Sequence, residues 1–235
     1  MSAAAARVHE IRVNLGAWIH DYAYALRWQA AGLHRRDPRD YRRPDPGGPA
    51  VVLIPGIYER WTFMLPVAEA LRDQGYDVHA VTDLRLNGGT IEEMARLVDG
   101  YLRRTGIGRC VLVAHSKGGL VGKLVLARHN ASGAVRGMVA VNTPFTGSWL
   151  ARLLPLPALR VFLPNSPELA ELASWREVDQ RIVSIYGRFD PHIPGGGHLD
   201  GAHNVQLETR GHFRPLGDAR VHNAILDGIG HLTRR

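Results

Sequence analysis

Three side chains stand out for chemistry they could share: Ser116 in A-H-S-K-G-G at 114–119, Asp190 in G-R-F-D-P-H at 187–192 and His212 in R-G-H-F at 210–213. A serine hydroxyl is a weak nucleophile until a base takes its proton, and an imidazole does so when a carboxylate orients its other nitrogen. Serine, acid and histidine occur in that chain order, so the set supplies all three roles of acyl transfer. Asp200 and Glu208 stand nearby as alternative acids. With His212 as base, activity is expected to rise with pH through the ordinary imidazole value of about 6.5.

The surroundings of Ser116 suit the role. The run C-V-L-V-A at 110–114 reads as a buried strand, and Leu120, Val121, Leu124 and Val125 give the following segment a helical period. A serine at the sharp turn between them exposes its hydroxyl, and its neighbours two residues away must be small because the strand and helix backbones nearly touch. Ala114 and Gly118 meet that need, with Ala114 one methyl larger than the first glycine of a strict G-x-S-x-G. The negative oxygen of a tetrahedral intermediate needs N–H donors. The backbone N–H of Lys117 is one candidate; Ile57, in P-G-I-Y-E-R-W at 55–61, is the preferred second, with Gly56 or Tyr58 as alternatives.

Elements that could position these residues follow from the pattern. Short apolar runs at 50–54, 78–81, 110–114, 137–141 and 182–186 are too short for buried helices and rich in valine and isoleucine. Helix-period segments lie between them. One opens on a T-x-x-E capping box, Thr90 to Glu93, ends near Gly106 and buries Met94, Leu97, Val98 and Leu102. Alternating strand and helix predict an α/β fold, a mainly parallel sheet of about six strands covered by helices in three layers, with ligands beyond the carboxyl ends of the strands.

Before this body, residues 7 to about 31 place Ile11, Leu15, Trp18, Ile19, Tyr22 and Leu26 on one helical stripe, which is expected to dock on the core. A connection from His34 to Pro49, interrupted by Pro38, Pro44 and Pro46, follows it. The expected organisation is an N-terminal amphipathic helix and linker at 1–45 and a catalytic domain at 46–235.

The chain of 235 residues, 45% hydrophobic and 22% charged, is long enough for one substantial core and has no run of apolar residues that would span a membrane. The charged start, with Arg7, Glu10, Arg12 and Asp21, argues for a cytoplasmic location. The net charge of +7 comes from scattered arginines with one local cluster, from His34-Arg35-Arg36 to Arg42-Arg43, and no nucleic-acid reading motif accompanies it. A single cysteine, Cys110, excludes an internal disulfide framework and reads as core. His198, Asp200 and His203 carry metal-ligating atoms but sit in the glycine-rich stretch G-G-G-H-L-D-G-A-H, which reads as a loop entering a last short strand, so no metal is expected. His115 is expected to shape the turn at Ser116, and the five tryptophans read as core or rim residues.

From about residue 50 to 233 the chain resembles the α/β-hydrolase fold, in its bacterial lipase and esterase branch. The resemblance rests on A-H-S-K-G-G at 114–119, Pro55-Gly56, the stretch Asn142 to Ser148 (N-T-P-F-T-G-S), D-P-H-I-P at 190–194 and Gly211-His212. It implies Ser116 as nucleophile, His212 as base and Asp190 as its orienter. Two positions depart from the family pattern: Pro55 stands where many relatives have histidine before the glycine, and Phe145 replaces the histidine of a T-P-H stretch. The expected activity is cofactor-free cleavage of carboxylic, lipid-like esters through an acyl-enzyme, with a thioesterase or acyltransferase, or a silent binding module on the same fold, as alternatives. The basic N-terminal helix is a candidate contact for a membrane surface or protein.

The connection of roughly 40 residues between the strands ending at Val141 and beginning near Arg181 is too long for a plain loop. It is expected to hold short helical pieces, separated by Pro155, Pro157 and Pro164, that form a lid over 145–175. Phe145, Trp149, Leu153 and Phe162 from this segment, with Tyr58, are the expected substrate contacts. The alternative is that its apolar residues complete the core.

Overall fold

Period-two alternation along the strands sorts the apolar residues into two cores. A computed structural model describes residues 3–32, 36–44, 47–153 and 156–234, without the side chains of 3–12 and 157. Six strands form one sheet: β1 (Ala50–Ile54), β2 (Val78–Ala80), β3 (Cys110–His115), β4 (Val135–Val141), β5 (Ile182–Phe189) and β6 (His203–Arg210). All neighbours run parallel, in the order β2-β1-β3-β4-β5-β6. Val52, Ile54, Leu112, Ala114, Met138 and Ala140 point to one face, where α3 (Ile91–Thr105) and α4 (Lys117–Arg128) cover them. Val51, Leu53, Val111, Val113, Val139 and Val141 point to the other, under α2 (Leu65–Asp73) and α6 (Ala219–Thr233). Each fully buried valine, leucine, isoleucine or methionine among them contributes about 1.5–3 kcal/mol of burial free energy, and each alanine methyl about 1 kcal/mol or less. The expected three-layer α/β architecture is therefore the observed one.

From β1 the chain goes to β2 on one side of it and β3 on the other. The loops that leave β1 and β3 thus part at the sheet's carboxyl edge, where α/β sheets open a crevice. The register aligns Ile54 with Ala114 and Ala114 with Ala140, so the residues after each strand emerge at one level. Both hydrogen bonds of the Thr90–Glu93 capping box are present at the start of α3, and Gly106 ends it in a left-handed conformation. The connection from β4 to β5 holds short helical pieces, Trp149–Leu153, Pro157–Phe162, α5 (Pro167–Ser174) and Arg176–Arg181.

One expectation is corrected here. The N-terminal helix α1 (Ala3–Ala31) does rest on the body, against 61–64, 214–217 and β6, but with the opposite face to the one expected. Leu15, Trp18, Ile19, Tyr22 and Leu26 are exposed, with Leu26 at 71%. The docked face carries Ala17, Asp21, Tyr24, Ala25 and Trp28, because what awaits it is a row of backbone N–H groups and aromatic rings that a carboxylate and small or aromatic residues fit. Ile11, His34, Arg35, Pro46 and Pro155 fall outside the described side chains or residues. Among the described residues no helix is long and apolar enough to cross a membrane.

Candidate active site

Ser116 sits between β3 and α4 with φ +51° and ψ −122°, a conformation that costs about 1–3 kcal/mol and persists only where packing enforces it. Packing does so here: a methyl on Gly118 would lie against the Ile54 carbonyl oxygen and 2.8 Å from that of Pro55. β1 and α4 meet backbone to backbone.

The Ser116 hydroxyl donates to His212 Nε2 at 2.9 Å, and His212 Nδ1–H donates to Asp190 Oδ2 at 2.7 Å. Asp190 Oδ1 accepts the backbone N–H groups of His192 (2.8 Å) and Ile193 (3.1 Å), which leaves Oδ2 for the imidazole. All three side chains are buried. Burial opposes a charge on His212, but the Asp190 carboxylate, through charge and hydrogen bond, with Glu59 and Asp21 behind it, holds the imidazole pKa above its ordinary value. Asp200 and Glu208, the alternative acids, are exposed and paired with His198 and Arg188.

On the β1 side the N–H of Gly56 is taken by Glu59 Oε2 at 2.6 Å. That removes Gly56 from the candidate oxyanion donors and leaves Ile57 and Tyr58 on this loop. Lys117, which opens α4 directly after Ser116, carries the other candidate N–H. Its ammonium is buried and donates to the carbonyls of Asn87 (2.8 Å) and Gly89, with burial pushing its pKa down to about 8. Asn87 in turn donates to the Pro55 carbonyl at 2.7 Å, so the lysine side chain braces the loop that carries Ile57 and Tyr58.

Five polar residues at the site carry no signal in sequence periodicity: Asp21, Glu59, Asn87, Asn142 and His192. Glu59 lies 2.9 Å from His115 Nδ1, and His115 Nε2–H donates to the His212 carbonyl at 3.0 Å. Asn142 donates to the same carbonyl at 2.9 Å. His115 therefore shapes more than the turn it occupies. The His192 ring stacks on His212 with centroids 4.7 Å apart, and burial, then the neighbouring His212, pushes its pKa down to about 3.

The other expected contacts divide. Tyr58, Trp149 and Leu153 are exposed, Leu153 at 68%. Phe162 is buried in the core, and Phe145, also buried, reaches a cavity of about 350 Å³ with Leu120 and Leu172. An apolar groove of about 780 Å³ opens beside Asp190, lined by Leu15, Trp18, Leu150, Phe189, Ile193 and Pro194. His203 stacks on His231, away from a common centre with His198 and Asp200, and no cluster able to hold a metal occurs among the described residues. Cys110 is buried and its thiol pKa is pushed up to about 12. Trp28, Trp61 and Trp175 pack on the cores, while Trp18 and Trp149 are exposed.

A family model described as alpha/beta hydrolase fold matches residues 49–168. The chain belongs to the α/β-hydrolase fold family. The match spans β1 to the start of α5 and so includes Ser116 and the loop at 55–61. No curated protein matches this α/β-hydrolase. Among solved structures it is similar to the mature lipase BlEst2 of Bacillus licheniformis, at 20% identity and TM-score 0.59 over 81% of this chain and 94% of that one. It is also similar to a carboxylesterase structure from the thaumarchaeon Nitrososphaera gargenis, at 14% identity and TM-score 0.59 over 82% and 93%. An enol-lactonase from Burkholderia xenovorans matches at 17% identity and TM-score 0.55 over 80% and 94%. At these identities the likeness is one of fold.

Proposed function

We propose that this α/β-hydrolase is a serine hydrolase that cleaves carboxylic esters through an acyl-enzyme. The observation that carries the reading is the unbroken chain from the Ser116 hydroxyl through His212 to Asp190, with links of 2.9 and 2.7 Å. In this mechanism Ser116 attacks the ester carbonyl as His212 Nε2 takes its proton. The backbone N–H groups of Ile57 and Lys117 hold the oxyanion, and His212 returns the proton to the departing alcohol. Water, activated by the same imidazole, then releases the acid. The apolar groove beside Asp190 supports a lipid-like ester, and the lipase and esterase titles among the structural relatives agree with the class. The test is a panel of p-nitrophenyl esters from short to long acyl chains, with and without an added alcohol or thiol acceptor, beside fluorophosphonate labelling. Hydrolysis with labelling at Ser116 is expected. Product found only when an acceptor is added would make the protein an acyltransferase, and absence of labelling would make it a binding module.

The raised pKa of His212 sets the pH profile. Only the neutral imidazole accepts the serine proton, so kcat/KM rises with pH, and a folded-state pKa above 6.5 moves the rising limb to higher pH than the unperturbed histidine predicts. A limb centred below pH 6.5, or a flat profile from pH 6 to 9, would contradict this.

We assign the exposed face of α1 to an anionic lipid surface. Leu15, Trp18, Ile19, Tyr22 and Leu26 form one apolar strip, and Tyr22 reaches His192 beside the triad. Residues 1–43 carry eight arginines against four acids, one of which, Asp21, is buried. Cosedimentation with phosphatidylglycerol-containing vesicles is expected, weaker with pure phosphatidylcholine, and reduced at least about fivefold by Ile19→Asp with Leu26→Asp. Equal sedimentation of the double variant would remove the assignment.

A further inference from the structure

Asp21 is a carboxylate with no exposed surface on a helix that the family model does not cover. Its two oxygens accept three successive backbone N–H groups from the loop that carries His212. His212 donates to Oδ2 at 2.9 Å, and Phe213 and Arg214 each donate to Oδ1 at 2.8 Å. The loop is built around this carboxylate. Gly211 has φ +109°, and a methyl at that position would collide with Asp21 Oδ1 and lie 2.8 Å from its Cγ. Two neighbours on α1 extend the contact: the Tyr22 hydroxyl meets His192 Nε2 at 3.1 Å, and Gln29 donates to the Tyr58 carbonyl at 2.7 Å, on the loop opposite.

We propose that Asp21 is a positioning residue for the histidine base, so that α1 completes the active site of this hydrolase. The proposal rests on the triad reading given above. The physical case is that an imidazole must stay within a few tenths of an ångström of both the serine and the acid, and its backbone is held from two sides. His115 and Asn142 grip the His212 carbonyl from the sheet, and Asp21 grips its N–H from α1. Without Asp21 the buried N–H of His212 and the part-buried N–H groups of Phe213 and Arg214 lose the carboxylate that accepts them, and the loop must shift to satisfy them.

Asp21→Asn separates this role from simple stability. Its oxygen can satisfy Phe213 and Arg214 from the Oδ1 position only if its NH₂ group faces the N–H of His212, a donor against a donor at the histidine itself. The charged and titratable groups around His212 are Asp190, Glu59, Asp21, His192 and His115, so the variant also removes one of three carboxylates. With the full chain, the rate of fluorophosphonate labelling at Ser116 is expected to fall about 10- to 100-fold in Asp21→Asn. For a short p-nitrophenyl ester the loss should lie in kcat, with KM held within about twofold, and the rising limb of the pH profile should move to lower pH. In Asp21→Ala the amides of 212–214 should exchange at least about tenfold faster. Labelling rate and pH limb both at wild-type values in Asp21→Asn would overturn the proposal, even if its melting temperature falls. If wild-type Ser116 takes no label, the hydrolase reading fails, and unchanged amide exchange in Asp21→Ala then overturns the anchor on its own.

Discussion

Ser116→Ala and His212→Ala are each expected to lower ester turnover by about 10³-fold or more, with melting temperatures near that of the parent chain. The three groups act as a unit, so removing either the nucleophile or the base forfeits nearly the whole chemical advantage. Asp190→Asn should be comparably severe for a reason visible in its contacts. Its Oδ1 position must keep an oxygen to accept from His192 and Ile193, which places the amide NH₂ against His212 Nδ1. The imidazole then carries its proton on Nε2 and cannot accept one from Ser116. Asp200→Asn and Glu208→Gln serve as controls, since both side chains are exposed and paired with His198 and Arg188 instead. Retained turnover in clean Ser116→Ala protein, or a severe effect from either control with a mild one from Asp190→Asn, would defeat the assignment.

Gly118→Ala should lose about 3 kcal/mol of stability or more, which for a chain of this size is a fall of about 6–12 °C in melting temperature. The added methyl meets the carbonyl oxygens of Ile54 and Pro55, and neither can retreat. Ile54 is paired to Ala114 in the sheet, and Pro55 O is held by Asn87. Relief by moving the loop would carry Ile57 away from Ser116, so surviving folded protein should also label slowly with fluorophosphonate. Ala114→Gly is the useful contrast: it creates the stricter glycine pattern, removes one buried methyl at a cost of about 1 kcal/mol, and should leave labelling intact. A Gly118→Ala protein that melts within about 2 °C of the parent would show that β1 and α4 are less tightly opposed than their backbones indicate.

Much of the framework was legible in the residues because it depends on short-range periodicity. Runs of valine and isoleucine announce buried parallel strands wherever they occur, and a capping box satisfies its own N–H groups within four residues. The Ser116 turn belongs to the same class, since a serine flanked by small residues between a strand and a helix is a local pattern. The order of serine, acid and histidine then follows from sequence alone, and a parallel sheet brings all three to one edge. The chain by itself thus determined the α/β architecture and the sheet edge at which Ser116, Asp190 and His212 meet.

Which groups hold those residues in place was decided only in three dimensions. The apolar stripe of α1 invited docking through Leu15, Trp18 and Leu26, yet the helix turns Asp21 inward because three unpaired N–H groups from residues 212–214 reward a carboxylate there more than an oily face. Gly56 and Ile57 are equivalent as sequence neighbours, and the Glu59 carboxylate, by taking one N–H, distinguishes them. Phe162 and Leu153 read alike as lid residues, but one is buried in the core and the other is exposed. Hydrophobic periodicity reports that a face exists, whereas its partner is set by hydrogen-bonding groups about 190 residues away in the chain, and long-range polar satisfaction of that kind leaves no period in a sequence.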